Sequence, residues 1–335
     1  MEVMVRKILF VCLILFLVFV GYFWIGSAPE ARDITWGVNF SQKQAELLGL
    51  DWQEVYATLL DDLGARDIKL AAYWDLIEPI ESKYDFNDLD WQIQKAEEKG
   101  AKAILVIGTK TGRWPECHAP EWVRSQNSKI KSQNSLVEYI KKVVERYRDN
   151  KTIWAWQVEN EPLFPFGECP RRDKEFLKKE IELVKSLDQS RPVIISDSGE
   201  FSFWVTAAQL GDMVSATLHR KVWFREIKSY IAYPIRPVFY WRKAELIKKI
   251  FAKEVIVGEL QAEPWCQIFL LGECPLEEQK KTMNLERFKK NIEFAKKTGL
   301  KQFYLWGAEW AYWMKKKQNQ PEIWNEAQKL WKNNI

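Results

Sequence analysis

The stretch Trp154-Ala155-Trp156-Gln157-Val158-Glu159-Asn160-Glu161-Pro162 opens as an aromatic and apolar run of strand length. Glu159, Asn160 and Glu161 then follow abruptly. Pro162, which has no N–H to offer a neighbouring strand, ends the run. A polar cluster therefore stands at the carboxyl end of a buried strand. In parallel β/α architectures that is the end where chemistry is placed. Taken alone, the nine residues also read as a strand cap facing solvent.

Outward from this stretch, strand-length runs alternate with amphipathic helices. Further strands are read at residues 33–40, 68–73, 103–107, 192–196, 213–218, 254–257 and 301–305. Residues 51–63 carry Val55, Leu59, Leu60 and Leu63 at helical spacing and stop at Gly64. Other helices are read at 136–147, 174–187, 244–252, 277–297 and 321–331. Eight strands, each followed by a helix or helical loop, in roughly 300 residues predict an α/β fold, a (β/α)8 TIM barrel. Residues 220–242, aromatic and holding Pro234 and Pro237, read as an irregular insertion over one end. An open doubly wound sheet is the alternative. No G-x-G-x-x-G follows the first strand and no P-loop lysine motif occurs, which argues against its nucleotide-binding forms.

The N-terminus has its own signature. Arg6 and Lys7 precede an uncharged apolar run over residues 8–26. At about 1.5 Å per residue such a run nearly crosses a ~30 Å hydrocarbon core. A cleaved signal peptide has a shorter apolar region and a small-x-small site, and Pro29 opposes cleavage after Ala28. Residues 1–30 are thus expected to be a signal anchor, a transmembrane helix with a short linker. The basic residues lie inside and the catalytic domain, residues 31–335, lies extracytoplasmic; secretion after cleavage is the alternative. Cys12 lies in the apolar run. Cys117, Cys169, Cys266 and Cys274 fall on loops, and four cysteines in an exported domain suggest two disulfides. Of three pairings, Cys266–Cys274 with Cys117–Cys169 is favoured, because the former closes a short local loop. A zinc site is disfavoured: there is no close Cys-x-x-Cys and only two histidines, His118 and His219.

Charge is nearly balanced, with 50 basic and 46 acidic residues and a net +4, and the lysine clusters fall on helix faces, so no nucleic-acid partner is expected. No motif calls for a cofactor or a metal. Eighteen tryptophans stand out; Trp serves in cores and as a flat platform for sugar rings, nucleobases or partner surfaces.

On a barrel the carboxyl ends of the strands share one face, so Glu161, ending the fourth strand, meets Glu259, ending the seventh. Two carboxylates across a barrel mouth are what retaining glycoside hydrolysis requires, one protonating the leaving oxygen and the other attacking the anomeric carbon. The acid needs a raised pKa and the nucleophile must stay ionised. Asn160 is placed to hydrogen-bond a sugar 2-hydroxyl, and Trp306, ending the eighth strand, to floor the sugar ring.

Asn160-Glu161-Pro162 after an aromatic strand, Glu259 ending a later one and Trp306 ending the last resemble glycoside hydrolase clan A, which includes family 5 cellulases and mannanases and family 42 β-galactosidases. Tyr73-Trp74 through Glu78-Pro79, then Tyr84-Asp85-Phe86 and Leu89-Asp90, are similar to the family pattern after strand two. The resemblance runs from about Thr35 onward. It implies Glu161 as acid/base, Glu259 as nucleophile, Asn160 as the 2-hydroxyl contact and His219 as a substrate-site histidine; Glu259-Leu260-Gln261 with Trp265 is closer to the family 42 style. Two departures stand out. The supporting arginine of strand two is replaced by Lys69 or absent, and the tyrosine that helps hold the nucleophile is Lys221, so that role is either unfilled or taken by another residue such as Tyr73. Further substrate contacts are expected at Trp74, Trp114, Trp265, Glu309 and Trp310, each with loop or core packing as the rival role. Glu159 and Glu263 compete with Glu161 and Glu259 for the catalytic roles. The expected function is a membrane-anchored retaining glycosidase acting on a β-linked oligo- or polysaccharide. A transglycosylase of the same clan and a carbohydrate-binding barrel without turnover are the alternatives.

Overall fold

The computed structural model describes residues 2–125, 128–170, 174–268 and 270–332. Eight parallel strands close into a barrel in chain order: Thr35–Phe40, Asp67–Ala71, Lys102–Ile107, Ile153–Val158, Val193–Asp197, Met213–Leu218, Val255–Gln261 and Gln302–Trp306. Helices between consecutive strands form the outer layer, and the main core lies between the two layers. The helix Trp52–Asp61 shows how this layer is specified. Asp51 caps its first N–H groups, and Val55, Tyr56, Leu59 and Leu60 are turned onto the strands.

Inside the barrel, the side-chain alternation of strands stacks residues in layers. Ile104, Ala155, Ile194, Ile256 and Tyr304, one from each of five strands, form an apolar floor. Two residues further along three of these strands or their neighbours come buried polar groups, among them Gln157, Ser196 and Thr217. Apolar below and polar above, the interior becomes a site only at its carboxyl end.

Two parts of the outer layer differ from expectation. The span 220–242 is not irregular: Lys221–Phe224 and Ser229–Ala232 pair as an antiparallel hairpin, and Pro237 opens a helix, Pro237–Phe251. Proline at the first helical turn loses no hydrogen bond. The helix read at 277–297 is two, Leu276–Gln279 and Leu285–Lys296. Between them Thr282 leaves helical geometry to bond both the N–H and the C=O of Trp265, and Asn284 caps the second helix.

Both favoured disulfides are present: Cys117–Cys169 and Cys266–Cys274. The N-terminal helix, Glu2–Trp24, rests its last turns on the barrel. Phe23 and Trp24 pack on Phe239, Phe19 packs on Phe203, and Arg236 donates to the Trp24 carbonyl at 2.8 Å. Residues Met4–Trp24 are long and apolar enough to cross a membrane.

Candidate active site

The carboxyl ends of the strands surround a cleft of about 530 Å³, lined by Asn160, Glu161, Thr217, His219, Glu259 and Trp306 together with Trp114, Trp265, Glu116 and Glu200. Glu161 and Glu259 therefore meet in one cavity, and local backbone devices aim each of them. The chain leaves the fourth strand with left-handed φ at Glu159 (61°) and Glu161 (43°), which breaks the strand's alternation. Period-two alternation along an unbroken strand would face these two glutamates the same way, and the left-handed backbone prevents it. Glu159, fully buried, accepts from the backbone N–H groups of Thr109 and Lys110 and ties the loop after strand three to strand four. Glu161 turns into the cleft, with its own N–H given to Ser196 Oγ at 2.7 Å and its carboxylate taking a hydrogen bond from Thr217 at 3.2 Å.

Glu259 lies within the seventh strand rather than after it. The pairing register skips one residue there, Ala216 facing Val257 and Thr217 facing Glu259. Such a bulge re-aims a side chain, and Gly258 makes it possible: a Cβ at that position would stand 2.0 Å from Ser215 Oγ.

The two carboxylates are driven in opposite directions. Burial and then the negative charge of Glu259 push Glu161 up to about 8. Burial also acts on Glu259, but it is overcome by Lys69, with His219 adding to it, and the group is held down at about 2. Lys69 Nζ donates to Glu259 Oε1 at 3.0 Å, and His219 Nε2 lies 3.8 Å from Oε2. Lys69 thus occupies the supporting place expected of an arginine. Tyr73 does not substitute for the missing tyrosine, since its hydroxyl bonds Ser41 Oγ at 2.6 Å.

Asn160 has a determined orientation. Its Oδ1 accepts from Lys69 at 3.3 Å and from Gln157 at 3.1 Å. Lysine can only donate, so the amide nitrogen must point the other way, into the cleft. Trp265 and Trp306 stack at 5.5 Å, and the His219 ring stands edge-on to both.

Three expected substrate contacts lie away from the cleft. Trp74 is buried, stacked on Tyr139 and bonded to Glu78. Trp310 is buried with its indole N–H on Gln279. Glu309 is buried and accepts from Arg113 and from the Ser41 N–H. The same guanidinium binds Glu263 and covers the Trp306 ring at 4.5 Å, which places Glu263 in a structural ion-pair cluster. A helix, Ala308–Lys317, begins at these positions; its first turn points into the core, which a single sequence position does not reveal. Conversely, sequence reading missed Glu116 and Glu200, which sit on aperiodic loops. Only the adjoining Pro115 and Cys117 hinted that the Glu116 loop was built with care.

The family 42 glycoside hydrolase model, described as β-galactosidase, matches residues 51–190, a segment that contains Glu161 and stops before Glu259. Among curated proteins, the β-galactosidase BgaA of Clostridium cellulovorans is 25% identical over 170 residues, covering 44% of this chain and 25% of that protein. The mannan endo-1,4-β-mannosidase F of Aspergillus fumigatus is 26% identical over 197 residues, 53% of this chain and 42% of that one. The chain thus spans about a quarter of the length of that β-galactosidase. Among solved structures, native xylanase 10B of Thermotoga maritima superposes with a TM-score of 0.59 at 16% identity, covering 89% of this chain and 95% of that one. GH5_18 from Streptomyces cattleya, in complex with GlcNAc, gives 0.57 at 15% identity over 82% and 70%.

Proposed function

We propose that this chain, a relative of the clan A glycoside hydrolases, is a retaining β-glycosidase with Glu161 as acid/base and Glu259 as nucleophile. The observation that carries the reading is the pair of buried carboxylates lining one cleft, Glu259 beside Lys69 and His219 and Glu161 hydrogen-bonded by Thr217, surroundings that drive the two apart in pKa. Such a pair divides the roles at neutral pH: the group pushed up holds a proton to give, and the group held down keeps a lone pair to attack. In the first step Glu259 attacks the anomeric carbon while Glu161 gives its proton to the departing oxygen, leaving a glycosyl ester on Glu259. Glu161, now ionised, then takes a proton from water as that water attacks the ester-bearing carbon, releasing the sugar and restoring both groups. His219 and Lys69 keep Glu259 ionised, and Trp265 and Trp306 line the cleft as an aromatic wall beside the sugar.

Membrane attachment belongs to the same reading. The helix Met4–Trp24, charged only at Arg6 and Lys7, rises about 31 Å, enough for a bilayer core. The two disulfides favour an oxidising, extracytoplasmic compartment for the barrel. Membrane fractionation of the full chain beside a chain starting at Ala31 tests this part; equal solubility of the two would refute it.

The catalytic part is tested with a panel of activated aryl β-glycosides and their 2-deoxy-2-fluoro counterparts, followed by intact mass and peptide mapping. A sugar adduct on Glu259, absent from Glu259→Gln, is the expected result. A folded barrel that hydrolyses glycosides while the adduct maps elsewhere would overturn the assignment.

A further inference from the structure

Glu116 is a carboxylate of the cleft that the two-step chemistry does not use, and the fold goes to some length to put it there. It follows Pro115 in the loop after strand three, with a left-handed φ of 75°. Its neighbour Cys117 is tied to Cys169, and the Glu168 N–H bonds the Pro115 carbonyl at 3.0 Å. Its side chain packs against Gly167, where a Cβ would stand 2.5 Å from Glu116 Cβ. Any other residue at Gly167 would push the glutamate out of place. The residue is buried, lines the cleft beside Glu161 and Glu259, and is a hydrogen-bond neighbour of the Asn160 amide.

The chemistry of that pair is specific. Lys69 and Gln157 claim Asn160 Oδ1, so Asn160 presents an N–H donor to the cleft. Burial pushes the neighbouring Glu116 carboxyl up to about 7, and in either charge state its carbonyl oxygen presents an acceptor. A hydroxyl is the small group that satisfies both at once, accepting from the amide and donating to the carboxylate. A fluorine offers no proton to Glu116, an ammonium offers no lone pair to Asn160, and a hydrogen answers neither.

We infer that Glu116 is a specificity-determining residue that, with Asn160, reads a single sugar hydroxyl as a donor–acceptor pair. The inference rests on the glycosidase reading, in which Asn160 faces the 2-position of the sugar bound over Glu259. It makes the preferred substrates glycans with a free 2-hydroxyl, and it places 2-amino and 2-deoxy sugars at a disadvantage. Without the hydroxyl the amide and the carboxyl have only each other, and the contact that favours the 2-hydroxy sugar is lost.

The test compares wild type, Glu116→Gln and Glu116→Ala on aryl β-glycosides carrying a 2-hydroxyl, and on the 2-fluoro analogues, by kcat/KM and by the rate of covalent trapping. Glu116→Gln is expected to lose about 10- to 100-fold on the hydroxyl substrate and to keep or raise its trapping rate with the fluoro sugar, since an amide N–H tolerates fluorine better than a carboxylate does. A merely structural role predicts equal losses on both, and that result, or no loss on the hydroxyl substrate, overturns the inference. Binding of the free sugar and its 2-deoxy analogue, followed by saturation-transfer NMR, reads the same preference without turnover. Hydrolysis with no dependence on Glu116 refutes this inference alone. Glu116-dependent preference for the 2-hydroxy sugar without hydrolysis supports it while refuting the hydrolytic reading. A folded wild type that neither binds nor cleaves any sugar overturns both.

Discussion

Replacing Lys69 with Met removes the cation beside Glu259 while keeping a side chain of similar length in the barrel. The Nζ–Oε1 separation is 3.0 Å, with both groups less than a tenth exposed. Two unit charges at that distance interact by about 5 kcal/mol at an effective dielectric of ~20, which converts to roughly 4 pKa units. That is a ceiling, because His219 stays in place and water enters the vacated space. A rise of about 2 units is the expected result. The sign follows directly: losing the cation favours the protonated carboxyl, so Glu259 becomes a nucleophile only at higher pH. The acid limb of the kcat/KM profile, which reports the free enzyme's base, should therefore move from near pH 2 to about pH 4. The alkaline limb, set by Glu161, should not move down, since no negative charge was lost. Steady-state kinetics from pH 3 to 9 on an aryl glycoside, with circular dichroism to verify folding, make the measurement, since the wild-type limb lies below that window and the variant's falls inside it. An acid limb that stays in place while the rate merely falls would show that Lys69 does not hold the nucleophile ionised.

Glu161→Gln is expected to change how stability depends on pH. The wild-type group binds its proton up to about pH 8 when folded and only to about 4.3 when unfolded, so stability falls as pH rises through that window. The variant lacks this loss; its Tm advantage over wild type should grow from pH 5 to pH 8, and a constant difference would refute the assignment. Arg113→Met strands Glu263 and Glu309, both buried, and should cost about 3–5 kcal/mol in urea unfolding. Adding Glu263→Gln and Glu309→Gln should recover part of that, and additive losses would contradict the pairing. Removing Cys117–Cys169 with serines should destabilise more than removing Cys266–Cys274, about 4 against about 2.5 kcal/mol in the chain-entropy account, because the sequence separations are 52 and 8. The reverse order, measured by urea unfolding, would rule out loop closure as the main source of the stabilisation.

The barrel, the strand ends carrying Glu161, His219, Glu259 and Trp306, the disulfide pairs and the apolar N-terminal segment were all legible in the residues. Most of these are local properties: alternation of apolar runs, a turn residue after a strand, the short spacing of Cys266 and Cys274, which leaves Cys117 to pair with Cys169. Residues near Trp306 show where legibility ended. Glu309 and Trp310 lie three and four positions past a strand end, the right distance for a loop facing substrate. Gly307 instead starts a helix there, and its first turn carries both side chains into the core. Trp74 was misplaced for a similar reason, a one-turn helix after strand two that turns it onto Tyr139.

Sequence by itself determined which carboxylates stand at the ends of parallel strands, since strand order and length follow from periodicity along one chain. Only the tertiary structure decided which of them face the same space and in which charge state. A skipped register at Gly258 aims Glu259 inward, left-handed backbone separates Glu161 from Glu159, and Lys69, 190 residues away from Glu259 in the chain, holds that carboxylate ionised. Glu116 enters the site only because a distant glycine leaves room for it and a disulfide holds its loop. A pKa depends on neighbours within a few ångströms, and those neighbours come from every part of the chain.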